Sequence, residues 1–170
     1  MKKLVLSLLI CMGIAKADYA QKKDYQISAV AFYNLENLFD TDDDPKKFDE
    51  EFTPTGANHY TEAIYAKKLQ NMARVLSEIA TDKIPDGPAL IGVAEIENAK
   101  VLQDLLKQPK LKDRGWKIIH FESPDVRGID VGMLYNPPLF KVLDAEALLV
   151  DIVENGKKEH TRDILHVTGV

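Results

Sequence analysis

Apolar residues along this chain recur with two different periods, and the changes of period predict the elements. From Gln26 to Asn34 the sequence is almost continuously apolar, with β-branched and aromatic residues, which predicts a strand buried on both faces. An acidic, proline-containing loop follows from Asp40 to about Gly56. Thr61 then stands as a candidate cap for a helix carrying Tyr65, Leu69, Met72, Leu76 and Ile79 in steps of four and three, one buried stripe. Pro85-Asp86-Gly87-Pro88 predicts a turn, and Ala89 to Ala94 a second buried strand. Asn98 is placed to cap a short helix whose Leu102, Leu105 and Leu106 share a face.

Further strands are predicted over Trp116–Phe121, Asp130–Tyr135 and Phe140–Val150, the last with a bend. Asn155-Gly156 is a hairpin turn signal, leading to a final strand over Arg162–Val167. The order implies an α/β fold, with helices early and strands pairing antiparallel later. With 170 residues and 45% hydrophobic content there is room for one domain with a substantial core.

The first residues follow a different logic. Lys2 and Lys3 precede an apolar run from Leu4 to Ile14, and Ala15-Lys16-Ala17 offers a small-x-small cleavage site. That run is too short to span a bilayer, so residues 1–17 are expected to be a signal peptide and 18–170 the domain. Export to the periplasm or the extracellular space is expected, without stable membrane insertion. Cleavage would remove Cys11, the only cysteine, leaving a mature chain unable to form a disulfide. Losing Lys2, Lys3 and Lys16 would also take the formal charge from −5 to −8. Such a surface repels polyanions, which argues against tight nucleic-acid binding through lysine and arginine alone. It suits a protein that meets phosphate through a bound divalent cation.

Candidate chemistry gathers at strand ends. Asn34 and Glu36 close the first strand and Glu95 and Glu97 the second, and residues two apart on a strand point to the same side. A carboxylate just after a buried strand is costly to leave unpaired, and magnesium needs only one or two protein carboxylates beside water and phosphate oxygens. Ordinary solvated strand ends would carry the same spacing. One decoy is discounted. Asp40, Asp42, Asp44 and Glu51 match positions of an EF-hand loop, but Pro45 occupies the place where that loop needs a glycine. A solvated acidic loop is expected instead. His120 and His166 read as strand residues, His59 and His160 as loop residues, and Trp116 as a strand residue with its N–H satisfied.

Phe32-Tyr33-Asn34-Leu35-Glu36-Asn37-Leu38-Phe39-Asp40 resembles the opening motif of the endonuclease/exonuclease/phosphatase superfamily. Ile91-Gly92-Val93-Ala94-Glu95-Ile96-Glu97-Asn98 is similar to its second motif, a buried strand ending in the metal-binding glutamate. Ser123 to Val131 with Met133-Leu134-Tyr135 resembles a stretch of the secreted bacterial members, and Thr161-Arg162-Asp163 the site where the deoxyribonuclease branch presents an arginine to phosphate. The resemblance implies the N-terminal part of a four-layered α/β sandwich with a mixed, mainly antiparallel sheet. It also implies Glu95 as principal metal ligand, with Asn34 and Glu36 lining the same cation and Asn34 orienting the phosphate.

Arg127 and Arg162 would lie along the phosphate groove, with Asp130 orienting one of them, although Asp130 reads equally as a turn residue. Glu97 is expected at the rim. The implied cofactor is Mg2+, with Mn2+ or Ca2+ as alternatives, and the implied reaction is phosphodiester hydrolysis, preferentially of nucleic acid as a secreted endonuclease. A lipid or inositol phosphate phosphodiesterase would share the same early motifs. The superfamily's catalytic histidines come late in its fold, and none of the four histidines here sits in a matching motif. This chain is therefore expected to be incomplete at its C-terminus and inactive alone, which also leaves open a non-catalytic module that binds phosphate or a partner.

Overall fold

The computed structural model describes residues 27–170. The expected leader over residues 1–17 and the strand start at Gln26 lie outside the described residues.

Four strands form one sheet in the order β1-β2-β4-β3: β1 (Val30–Leu38), β2 (Leu90–Ile96), β3 (Lys117–His120) and β4 (Asp130–Tyr135). β1 and β2 are parallel, while β2–β4 and β3–β4 are antiparallel. The protein is thus α/β, with a mixed, mainly antiparallel sheet. Parallel neighbours need a crossover, and α1 (Glu62–Glu78) supplies it. The Thr61 hydroxyl accepts from the Ile64 N–H, and Tyr65, Leu69, Ala73 and Leu76 are buried, the expected stripe with Ala73 added. Met72 and Ile79 are partly buried at its margin. α2 (Ala99–Leu106) starts where Asn98 Oδ1 accepts from the Val101 N–H, and buries Val101, Leu102 and Leu105. The core lies between these helices and one sheet face, where Leu35, Leu38, Ile91, Val93, Ile96 and Leu134 are essentially inaccessible.

Beyond the other face stands a second antiparallel pair, β5 (Val142–Leu148) and β8 (Ile164–Gly169). Between them the hairpin β6 (Ile152–Glu154) and β7 (Lys157–Glu159) turns at Asn155-Gly156, both with positive φ, as that dipeptide demands. An apolar cleft of about 460 Å³ separates this pair from the main sheet, lined by Phe32, Met133, Leu165 and Val167 among others.

The expectation of a first strand buried on both faces is corrected here. β1 alternates: Leu35 is inside, whereas Val30 and Phe32 are 74% and 69% exposed. Its apolar outer positions border the cleft instead of a packed layer. The final strand also sits later than expected, so Arg162 lies in the segment before it. Trp116 precedes β3, and its buried indole N–H has no partner among the described residues, contrary to expectation.

Candidate functional site

Strand pairing brings Asn34, Glu36, Glu95 and Asp130 to one edge of the main sheet, while Arg127 lies in the loop before β4 and Arg162 in the segment before β8. Leu38 pairs with Ile96, Ile96 with Asp130, and His120 with Gly132, so β1, β2 and β3 end where β4 begins. The ladders are interrupted at this edge. Between the pairs Asn34↔Ala94 and Leu38↔Ile96, β1 inserts Leu35, Glu36 and Asn37 against the single Glu95 of β2. Glu36, Asn37 and Glu95 have φ of 53°, 57° and 58°, the left-handed region that non-glycine residues adopt at a cost of roughly 1–2 kcal/mol each. This revises the premise that residues two apart share a side, because the backbone is not extended at Glu36 or Glu95. The irregularity sends Leu35 and Leu38 both inward, and Val93 and Ile96 likewise, while Glu36 is exposed and Glu95 half-buried.

The orientation of Asn34 follows from its hydrogen bond. Its Oδ1 accepts from the Glu36 N–H at 2.7 Å. Only an amide oxygen can accept from a backbone N–H, so the Nδ2 donors are the free end of this exposed side chain. Beneath the same turn, the Lys68 ammonium on α1 donates to the Glu36 and Asn37 carbonyls at 2.5 and 2.7 Å. Burial lowers the Lys68 pKa, against the opposing fields of Glu36 and Glu95. Glu36 and Glu95 accept no hydrogen bond to their carboxylates among the described residues. Two carboxylates of that kind, one half-buried, are hard-oxygen donors suited to a divalent cation needing few protein ligands, whereas the Asn34 oxygen expected beside them is taken by the Glu36 N–H. Glu95 and Glu36 would hold it, with Asn34 adjacent.

Arg127 is oriented by Asp125, not by Asp130. Its Nε and Nη2 donate to Asp125 Oδ1 and Oδ2 at 3.0 and 2.6 Å, and its backbone N–H bonds to Oδ1 at 2.9 Å. Although burial works against it, these bonds hold the Asp125 carboxyl below the usual carboxylate range. The bonds to Asp125 raise the Arg127 pKa, and the charge of Glu95 acts in the same direction. Arg162 is near enough for its charge to act on Asp125 as well. Lys47 ties this loop to the acidic loop by donating to the Ser123 and Asp125 carbonyls at 3.2 and 3.0 Å.

Asp130 is 1% exposed and turned away from both arginines. It accepts from the Ser123 N–H and hydroxyl through Oδ1, and its Oδ2 lies 3.0 Å from His120 Nε2. The reason is the register: His120 pairs with Gly132, so Asp130, two residues earlier on β4, projects from the same sheet face as His120. One potential ligand atom each from His120, Glu122 and Asp130 lie within 4.8 Å of one another, a group able to hold a metal that includes neither Glu95 nor Glu36 and was unanticipated from the sequence. Among the described residues, His59 and His160 are exposed, and His166 pairs with Glu146 on the outer strands.

Glu97 is not a rim residue. It is 9% exposed, and its Oε2 accepts from the buried Asp40 N–H at 2.7 Å. Burial, reinforced by the charges of Asp40 and Asp49, pushes its pKa up to about 7. Asp40 in turn receives Lys100 at 3.0 Å. The acidic loop is therefore not simply solvated: Asp40 and Asp49 are inside it, and Phe52 stacks on Phe39 with centroids 4.1 Å apart. The sequence held one signal for Asp125, since an aspartate two residues before an arginine in a loop suits a side chain bonding its own backbone. Tyr65 and Lys68 could suggest a catalytic pair in sequence, but the helix stripe explains Tyr65 as core, and nothing local ties Lys68 to the Glu36-Asn37 turn.

A mixed sheet flanked by helices, with carboxylates, an amide and a guanidinium gathered at one edge, is the arrangement the sequence motifs implied. The chain belongs to the endonuclease/exonuclease/phosphatase family, whose model matches residues 29–170. No curated protein and no solved structure gives a significant match.

Proposed function

We propose that this chain forms the cation- and phosphate-binding edge of an exported, Mg2+-dependent phosphodiesterase acting on nucleic acid. The observation that carries the reading is that the β1–β2 irregularity sets Glu36 opposite Glu95, both near enough to act on Lys68, with Asn34 bonded to Glu36 and an arginine already oriented by Asp125 near Glu95. When bound, a divalent cation neutralises the scissile phosphate and stabilises the leaving oxygen. Asn34 Nδ2 is a donor for one non-bridging oxygen. Arg127 keeps Nη1 for another, and its bonds to Asp125 hold the guanidinium plane in place. Such preorganised donors favour the charge that develops as the ester bond breaks.

Among the described residues no histidine at this edge is exposed to a substrate: His120 holds Asp130 through Nε2, and its side chain is only 4% exposed. These residues therefore bind metal and phosphate, and efficient hydrolysis requires a base from outside them. Nucleic acid is preferred over lipid or inositol phosphates on the resemblance of Thr161-Arg162-Asp163 to the phosphate-contacting segment of the deoxyribonuclease branch. The test is Mg2+-dependent cleavage of plasmid DNA by the chain encoded in its full reading frame, compared with Glu95→Gln. Loss of the ligand charge should slow cleavage on the order of a hundredfold or more. Equal rates would remove Glu95 from the mechanism, and cleavage of lipid or inositol phosphates in place of DNA would replace the substrate.

A further inference from the structure

We propose that Lys68 is a positioning residue of this metal edge: its ammonium holds the double left-handed turn at Glu36-Asn37, and through that turn sets Asn34 and Glu36. The inference rests on the functional reading above and extends it to a residue on a different element, one face away from the reacting groups.

Two consecutive non-glycine residues in the left-handed region are an unfavourable state that must be held by other contacts. The turn points the carbonyls of Glu36 and Asn37 at one spot, and the Lys68 ammonium sits there, donating to both. A charged donor makes bonds roughly twice as strong as a neutral one. The same turn places the Glu36 N–H on Asn34 Oδ1, so the amide orientation depends on it. Lys68 is half-buried and makes no ion pair with Glu36 or Glu95 among the described residues. Its geometry therefore leaves both carboxylates free for a cation, while its stem continues along the helix beside the buried Tyr65 and Leu69. An ordinary surface lysine would instead extend into solvent or pair with a carboxylate.

Positioning and simple charge make opposite predictions. If Lys68 acted only through its charge, Lys68→Met would remove a repulsive cation and tighten divalent-metal binding. If it positions the turn, Lys68→Met weakens Mn2+ binding, measured by electron paramagnetic resonance, and accelerates hydrogen exchange of the Glu36 amide in metal-free protein. In the protein encoded by the full reading frame it also lowers kcat at saturating Mn2+, on the order of a hundredfold as expected for misplacement by about 1 Å, with KM little changed. Lys68→Arg, which keeps charge and donors, should recover most of that loss. Adding Asn37→Gly to Lys68→Met should recover part of it, because glycine takes φ > 0 without strain. This pair also serves if Lys68→Met alone folds poorly.

Unchanged exchange and unchanged Mn2+ affinity in Lys68→Met overturn the proposal, as does tighter Mn2+ binding. Wild-type chain that neither binds Mn2+ nor cleaves any phosphodiester would overturn the functional reading itself, and this proposal with it.

Discussion

Glu97→Gln should stabilise the metal-free protein at alkaline pH and leave it unchanged at acidic pH. The glutamate sits 9% exposed beside Asp40, with Asp49 adding to the negative field and Lys100 partly offsetting it. Its folded-state pKa is raised from 4.5 to about 7, burial being the main cause. A raised pKa means that the native state binds the proton more tightly than the unfolded chain does. The contribution is therefore fully present below pH 4.5 and is lost as pH rises through 7. At about 1.4 kcal/mol per unit, the difference amounts to roughly 3 kcal/mol between pH 4 and pH 8. Glutamine stays neutral throughout and can still accept from the Asp40 N–H, so it removes this term alone. Urea unfolding of both proteins in chelator, from pH 4 to pH 8, gives the difference directly, because every other titrating group is common to the two. The variant should gain up to roughly 3 kcal/mol on wild type at pH 8, the gap closing below pH 5. A difference that is flat with pH, or a less stable variant at pH 8, would refute the reasoning.

Three further outcomes are expected. Leu134→Ala empties a fully buried site between the sheet and the helices, and should cost about 2–5 kcal/mol in denaturant unfolding, with no change in its slope. Asn98→Ala removes the cap bond to the Val101 N–H and should cost about 1 kcal/mol, whereas Asn98→Ser should recover most of it. Mass spectrometry of exported protein should find a chain starting near Asp18, or near Gln21 if a later site is used, and an intact Met1 on cytoplasmic protein would overturn the expected export.

Periodic segments were legible in the sequence because their signals are local. The stripe from Tyr65 to Leu76, the caps Thr61 and Asn98, the Asn155-Gly156 turn and the strand Asp130–Tyr135 each follow from neighbours a few residues away. The residue types at the edge were legible too, since Asn34, Glu36, Glu95 and Arg127 stand in recognisable motifs. What those side chains do there was not. Regular alternation assigns Glu95 and Glu97 to one side, yet a left-handed residue at Glu95 separates a half-buried carboxylate, unpaired among the described residues, from a buried, proton-retaining one. Asp130 and Asp125 are both loop-edge aspartates in sequence, and only the pairing of β3 with β4 gives one to His120 and leaves the other to Arg127. Lys68 lies 32 residues from the carbonyl it holds. Sequence determines such local propensities, but a bulge is set by the register of two strands at once, and a contact across the crossover exists only when the helix has packed on the sheet. That is why the candidate residues could be named from the chain alone, while their orientation was decided by the tertiary structure.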